Sequence, residues 1–291
     1  MPETVACNIC GSPNSVPQPD KTRFLNIPEP LMVSRCNECK LVFLSPRGTI
    51  EEIRDLYHSH PYYAKSNANR GENRRQFYDL RFARLEKWMP DRGRMLSIGC
   101  LEGGYALVVA EARGWNVVGV EFSEILAGYA REQLGVRVEV AEAWDLSGLA
   151  DNTFDAIYTH SFEHFLDPRR TLQECRRLLA PDGFIMFEVP NQFYSLKDKL
   201  KMAVLKGSPA KVKNLFYAKA AAELHTYFFD PHTVRRLMES EGFEILDFRT
   251  YLPRHPVYLC NPTGRWLQES IYAIGGLFGR GPSMEIVLRP K

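Results

Sequence analysis

Apolar runs and amphipathic stretches alternate along the middle of the chain. Residues 94–124 read RMLSIGCLEGGYALVVAEARGWNVVGVEFSE. Met95 to Ile98 is a short apolar run suited to a buried strand, Tyr105 to Arg113 continues as a helix, and Asn116 to Val120 is a second apolar strand ending on Glu121. Gly99, Gly103 and Gly104 let the backbone turn tightly between strand and helix. Upstream, LVFLSPRGTIEEIRDLYHSHPYY predicts a strand, a proline turn and a helix opening near Thr49, where Thr49 and Glu52 fit a capping box. Downstream, Phe243–Arg249 and Met284–Arg289 read as strands. Two helical stretches carry a one-sided apolar pattern: Leu196, Leu200, Ala203 and Val204 in one, and Trp266, Leu267, Ile271, Ile274, Leu277 and Phe278 in the other.

Strand, glycine turn, helix, strand and terminal acid form the layout of a nucleoside-binding crossover, in which Glu121 would accept hydrogen bonds from both ribose hydroxyls. The turn Gly99-Cys100-Leu101-Glu102-Gly103-Gly104 lacks the G-x-G-x-x-G spacing that a pyrophosphate requires. Glu102 also suits a cationic sulfonium ligand better than a diphosphate.

Composition then bounds the class. A chain of 291 residues with 45% hydrophobic positions can bury a large core and predicts one big domain, with or without a small appendage. It has neither a membrane-length apolar run nor a basic-then-apolar leader, so a cytoplasmic protein is expected. Net charge is only +2, yet the segment Lys197–Lys219 holds seven lysines against one acid, Asp198. That segment could meet phosphates, a lipid head group or an anionic membrane surface, or be a solvated lid. The apolar side near Trp266 to Phe278 leaves core packing, a homodimer contact and peripheral membrane contact open.

Cys7-x-x-Cys10 and Cys36-x-x-Cys39 form two knuckles whose four thiolates predict one tetrahedral structural zinc. Prolines 13, 17, 19, 28 and 30 between them predict an irregular ribbon rather than a helix. Gly11 follows the first knuckle and Lys40 the second. Residues 1–40 carry four bases and four acids, so the ribbon shows no nucleic-acid footprint.

These residues together resemble class I S-adenosylmethionine-dependent methyltransferases. The crossover supplies the first two strands. VEVAEAWDL is similar to the third strand and its acid, NTFDAIYTHSFEHFLDP to the fourth strand and loop, LLAPDGFIMFEVPN to the fifth, and ELHTYFFDPHTVRRLMESEGFEIL to the segment before the sixth. Ser97 and Leu101 depart from the family's usual D-x-G-x-G-x-G. The resemblance implies an α/β, Rossmann-like seven-stranded sheet of order 3-2-1-4-5-7-6, with strand seven antiparallel and an N-terminal zinc ribbon. It implies a ribbon over 1–48, a helical linker or lid over 49–90, and a catalytic domain over 91–291 with insertions near 195–222 and 251–283. The cofactor-binding set it implies is Gly99, Cys100, Leu101, Glu102, Gly103 and Tyr105, then Glu121, Phe122 and Ser123, then Glu142 and Ala143, with Trp144 on the purine and His160 nearby.

For chemistry, the loop after the fourth strand offers His160, Glu163 and His164, and a later segment offers Glu223, His225 and Tyr227. Imidazole titrates near neutrality and can take a proton from a hydroxyl or from carbon beside a carbonyl. His164, His225, Glu223 and His160 are the catalytic candidates, each with a structural alternative as a hydrogen-bonded loop residue. The Glu223-x-His225 pair is similar to the adjacent Glu-His of sugar C-methyltransferases, in a subset with an N-terminal cysteine module and a closing Tyr-Tyr loop, here Tyr62 and Tyr63. Thr159-His160-Ser161-Phe162 stands where base-amino methyltransferases carry Asp/Asn-Pro-Pro-aromatic. The expected reaction is O- or C-methylation of a small metabolite, a sugar or glycoconjugate precursor, with a lipid-linked acceptor open. The alternatives are a nucleic-acid methyltransferase and a non-catalytic binder.

Overall fold

The computed structural model describes residues 2–25, 27–59, 71–100, 104–205, 225–251 and 262–291. Leu101, Glu102, Gly103, Tyr62, Tyr63, Glu223 and Lys206–Lys219 lie outside the described residues. In chain order the elements are β1 (Ser15–Pro17), α1 (Pro19–Phe24), β2 (Val33–Cys36), β3 (Val42–Leu44), α2 (Ile50–Ser59), α3 (Gly71–Leu85), β4 (Arg94–Ile98), α4 (Tyr105–Ala112), β5 (Asn116–Glu121), α5 (Glu124–Leu134) and β6 (Val138–Val140). They continue with β7 (Phe154–Thr159), a 3₁₀ turn (Phe162–His164), α6 (Pro168–Leu178), β8 (Leu179–Pro190), α7 (Leu196–Leu205), β9 (Tyr227–Phe228), α8 (Pro231–Ser240), β10 (Phe243–Tyr251), α9 (Pro262–Leu277) and β11 (Ser283–Pro290).

The main sheet runs β10-β11-β8-β7-β4-β5-β6. β4 pairs in parallel with β5 and β7, β5 with β6, and β7 with β8, while β11 runs antiparallel to both β8 and β10. This is the order expected from the sequence. Parallel strands covered on both faces read as unbroken apolar runs, which is why β4, β5 and β7 were legible. Alternation sorts their side chains: Leu96, Ile157, Ile185 and Ile286 pack on one face, and Met95, Ala156, Met186 and Val287 on the other.

Glu188 and Glu285 stand directly opposite each other on β8 and β11. Both are buried, so the like charges require cations within the fold. Arg81 on α3 donates to Glu188 at 2.9 Å and to the Tyr251 hydroxyl at 2.7 Å, and Arg249 donates to Glu285 at 2.9 and 2.8 Å. Arg84 reaches Glu285 at 2.5 Å. This network ties α3 to the sheet.

A second, antiparallel sheet has the order β1-β2-β3-β9. Its fourth strand comes from residues 227–228, so the N-terminal module is completed by a distant segment. The proline-rich stretch is not wholly irregular as expected. It forms α1, because Pro19 occupies the first turn, where its missing N–H costs no helical bond. At α2 the expected capping box forms: Thr49 N donates to Glu52 Oε2 at 3.0 Å and Glu52 N to Thr49 Oγ1 at 3.3 Å. Among the described residues no helix is long and apolar enough to cross a membrane.

Candidate active site

The carboxyl ends of β4, β5 and β6 open into a cleft. Gly99, Glu121, Phe122, Glu142, Ala143, Trp144 and His164 line it, as do Ile50, Ile53 and Arg54 of α2. Gly99 turns the chain out of β4 with a φ of 78°. A Cβ there would meet Ser161 Cβ at 2.8 Å, so both the conformation and the space demand glycine. Glu121 ends β5 inside this cleft. Its Oε1 accepts from Ser123 N at 3.1 Å, and its Oε2 is buried with no partner among the described residues. Burial pushes its carboxyl up to about 7. An orphaned buried carboxylate oxygen facing a cleft fits a pair of ribose hydroxyls.

The other expected cofactor residues sort plainly. Ser123 caps α5, accepting from Leu126 N at 3.4 Å. The Cys100 thiol points under the sheet toward the Ser97 and Val120 carbonyls. Tyr105 is half-buried on α4. None of these three lines the cleft. Glu142 accepts from Arg54 Nε at 3.0 Å, so α2 and the loop after β6 close on each other at the rim.

Glu163, His164 and His225 gather beside the cleft. The His164 and His225 rings meet edge-on with centroids 4.8 Å apart. Glu163 Oε1 lies 3.8 Å from His164 Nε2 and 3.7 Å from His225 Nε2. His225 Nδ1 lies 2.8 Å from Gln192 Oε1, an acceptor, so Nδ1 carries the proton and neutral His225 presents its Nε2 lone pair. Burial, then the neighbouring His164, hold its pKa well below the usual value. His160 is set apart from this cluster: its Nε2 is 3.3 Å from the Tyr78 hydroxyl, and its ring stacks on Tyr158.

The four cysteines form a cage. Cys7 and Cys39 sulfurs are 3.2 Å apart, Cys10 and Cys36 sulfurs 3.5 Å, and all four lie within 4.8 Å of one another. Tetrahedral zinc with bonds of about 2.3 Å spaces its sulfurs by about 3.8 Å, so the donors fit that ion. The hydrogen bond from Cys7 holds the Cys39 thiol well below its usual value. Gly11 and Lys40 both turn with positive φ, 72° and 68°, one after each knuckle.

This cage is joined to the histidine cluster by short bonds. Asn8, inside the first knuckle, donates to Asp167 at 3.1 Å and accepts from Arg169 N at 3.1 Å. Arg47 and Tyr227 both donate to the Leu166 carbonyl at 3.0 Å. Thr226 N donates to the Glu163 carbonyl, and Leu44 N to the Thr226 carbonyl, each at 2.9 Å. β3 therefore sets β9, and β9 sets His225.

Sequence reasoning placed α2 in a helical linker or lid without naming its cleft residues, and it missed Gln192 as the partner of His225. Gln192 lies just past the carboxyl end of β8, where this kind of sheet gathers its polar site residues, and that position was a usable signal. For Ile50, Ile53 and Arg54 no sequence signal existed.

A family model described as "Methyltransferase domain" matches residues 70–247. The ubiquinone biosynthesis O-methyltransferase of Caulobacter sp. (strain K31) is 29% identical over 61% of this chain and 67% of its own length. The C-methyltransferase NovU of Streptomyces niveus is 28% identical over 76% of this chain, which spans about half (48%) of that protein. The crystal structure of a SAM-dependent methyltransferase from Archaeoglobus fulgidus matches with a TM-score of 0.53 and 19% identity, over 79% of this chain and 99% of that one. That last likeness speaks for the fold.

Proposed function

The chain belongs to the methyltransferase-domain family, and from that premise we propose that it transfers a methyl group from S-adenosylmethionine to an oxygen or carbon of a small metabolite, a sugar or glycoconjugate precursor. The observation that carries this reading is a neutral histidine, His225, held beside a carboxylate at the edge of the cofactor cleft. Bound there, S-adenosylmethionine supplies an electrophilic methyl group. Glu121 Oε2 accepts ribose hydroxyls, and Trp144 and Ile53 give the purine apolar walls. His225 Nε2 takes the proton from an acceptor hydroxyl or from carbon beside a carbonyl, and Glu163 stabilises the imidazolium that forms. Gln192 fixes the ring and its tautomer.

Base-amino methylation is disfavoured by Thr159-His160-Ser161-Phe162 after β7, which supplies no carboxamide or carboxylate to receive an amine. One relative's name states O-methylation and another's C-methylation, which agrees with a base that serves either atom. Zinc would be held by Cys7, Cys10, Cys36 and Cys39; four thiolates leave no open position, so its role is structural.

The test is methyl transfer from labelled S-adenosylmethionine to a panel of nucleotide sugars and glycolipids. His225→Asn should lower kcat by about 10² to 10³ while cofactor affinity holds. Because burial and His164 depress His225, the acid limb of kcat should fall below pH 6.5, and the variant should lose that limb. Label appearing only on nitrogen or on RNA, or an unchanged pH profile in the variant, would sink the proposal.

A further inference from the structure

Ten large apolar side chains are exposed among the described residues, and five of them lie on, or just past, two helices that pack against each other. Leu200 and Val204 lie one turn apart on α7, 45% and 79% exposed. Ile274, Leu277 and Phe278 follow i, i+3, i+4 spacing at the end of α9, with 49%, 84% and 75% exposed. α7 and α9 pack against each other. Leu196 N donates to the Arg280 carbonyl at 3.0 Å, and Gly275 leaves room for that junction, since a Cβ there would meet the Arg280 carbonyl at 2.7 Å and Leu196 Cβ at 3.2 Å. The inner sides of both helices are occupied by Tyr272, which is buried, and Met202, which packs with Phe193 and Phe228. The outward sides carry the five exposed apolar side chains, with Lys199 beside Leu200.

Cations stand beside these apolar side chains. On α7 Lys199 is exposed while Lys197 and Lys201 are half-buried, with the Lys197 ammonium 5.2 Å over the Tyr272 ring, and exposed Arg280 follows α9. The basic zone continues onto the N-terminal module, where Lys21 feels both Arg35 and Lys199. Among the described residues the acids nearby include Asp20, beside Lys21, Asp198, whose carboxylate accepts from Phe193 N at 3.0 Å, and Asp230, beside the Tyr194 ring over which Lys199 stands. Exposed apolar side chains flanked by an excess of cations are complementary to a bilayer that offers anionic headgroups above acyl chains. A second copy of the chain would bring a second set of cations against the first.

We infer that α7 and the end of α9 form a docking surface for an anionic lipid bilayer, with Leu277, Phe278 and Val204 entering the interface and the α7 lysines meeting headgroup phosphates. The surface adjoins the candidate site: Gln192, which holds His225, lies four residues before Leu196, the start of α7. On the reading proposed above, docking would bring a lipid-linked acceptor to that histidine.

Co-sedimentation of the full chain with vesicles tests this. Vesicles of phosphatidylcholine containing about 30% phosphatidylglycerol should carry the protein down, and pure phosphatidylcholine vesicles should not. Raising salt from about 50 mM to about 300 mM should weaken the binding. Leu277→Asp with Phe278→Asp should weaken it at least tenfold, and replacing Lys197, Lys199 and Lys201 by Gln about fivefold per lysine. Both variants should keep the wild-type melting temperature and S-adenosylmethionine affinity, so failure to dock is read separately from failure as a methyltransferase. Wild-type protein that ignores anionic vesicles, or a double aspartate variant that sediments like wild type, overturns the inference. A wild-type dimer in ultracentrifugation that the aspartates dissociate, without vesicle binding, assigns the surface to a second copy instead.

Discussion

At the scale of single residues, Glu121 carries a cost that, on the proposed function, the ribose of the cofactor removes. It is 1% exposed, and burial lifts its carboxyl from 4.5 in an open chain to about 7. Between those values the folded state binds the extra proton, so stability falls as pH rises through the window, and the full cost of about 3 kcal/mol is reached above it. Glu121→Gln removes the ionisable group while keeping its shape. Free of cofactor, this variant should melt several degrees above wild type at pH 8 and together with it near pH 5. In calorimetry it should bind S-adenosylmethionine about 100-fold more weakly, because ribose hydroxyls lose a charged acceptor. In the wild type, binding should tighten from pH 6 to pH 8, since hydroxyl donors favour the ionised carboxylate. A variant that melts below wild type at pH 8 would show that Glu121 is held ionised by the fold itself.

At the scale of elements, α2, which the sequence places in a helical linker or lid, lines the cleft. Its capping box fixes where the helix begins, and Ile50 and Ile53, three apart, then face the cleft together. Ile53→Ala should raise the dissociation constant for S-adenosylmethionine roughly tenfold, the effect of losing about half the burial of three carbons. An unchanged constant would reduce α2 to a bystander. The helix itself was legible from Thr49 and Glu52, but its neighbour was not, because an amphipathic pattern states that a face is covered and not by what. The β4–α4–β5 crossover was legible throughout, since buried parallel strands and a glycine turn write themselves into consecutive residues. β9 is two residues long, too short for any periodicity, and its partner β3 lies before β4 to β8 in the chain. α1 was hidden for the opposite reason: Pro19 reads as a breaker until its place in the first turn is known.

At the scale of the whole molecule, the cysteine module and the catalytic sheet share one core. Cys7, Cys36, Cys39, Leu41 and Phe43 pack in the same cluster as Leu96, Ile157, Phe162, Phe187 and Phe229. Asn8, Arg47 and β3 then grip the segment from Glu163 to Asp167 and the strand that follows His225. Disturbing the cage should therefore act on methyl transfer more than on cofactor binding, because the module's hydrogen bonds run to the segment around Glu163 to Asp167 and to β9, while the ends of β4 and β5 meet it through apolar packing. Metal removal by a chelator, or Cys36→Ser, should lower the melting temperature, since metal binding and folding are linked. In the protein that stays folded, cofactor affinity should fall no further than loss of the α2 wall allows, about tenfold. Methyl transfer should fall well beyond that, as His225 and Glu163 lose the register set by β3. Metal content by mass spectrometry, calorimetry with S-adenosylmethionine and turnover, measured on one preparation, separate the two effects. Metal-free protein that turns over at the full rate would mean that packing alone holds β9 in place.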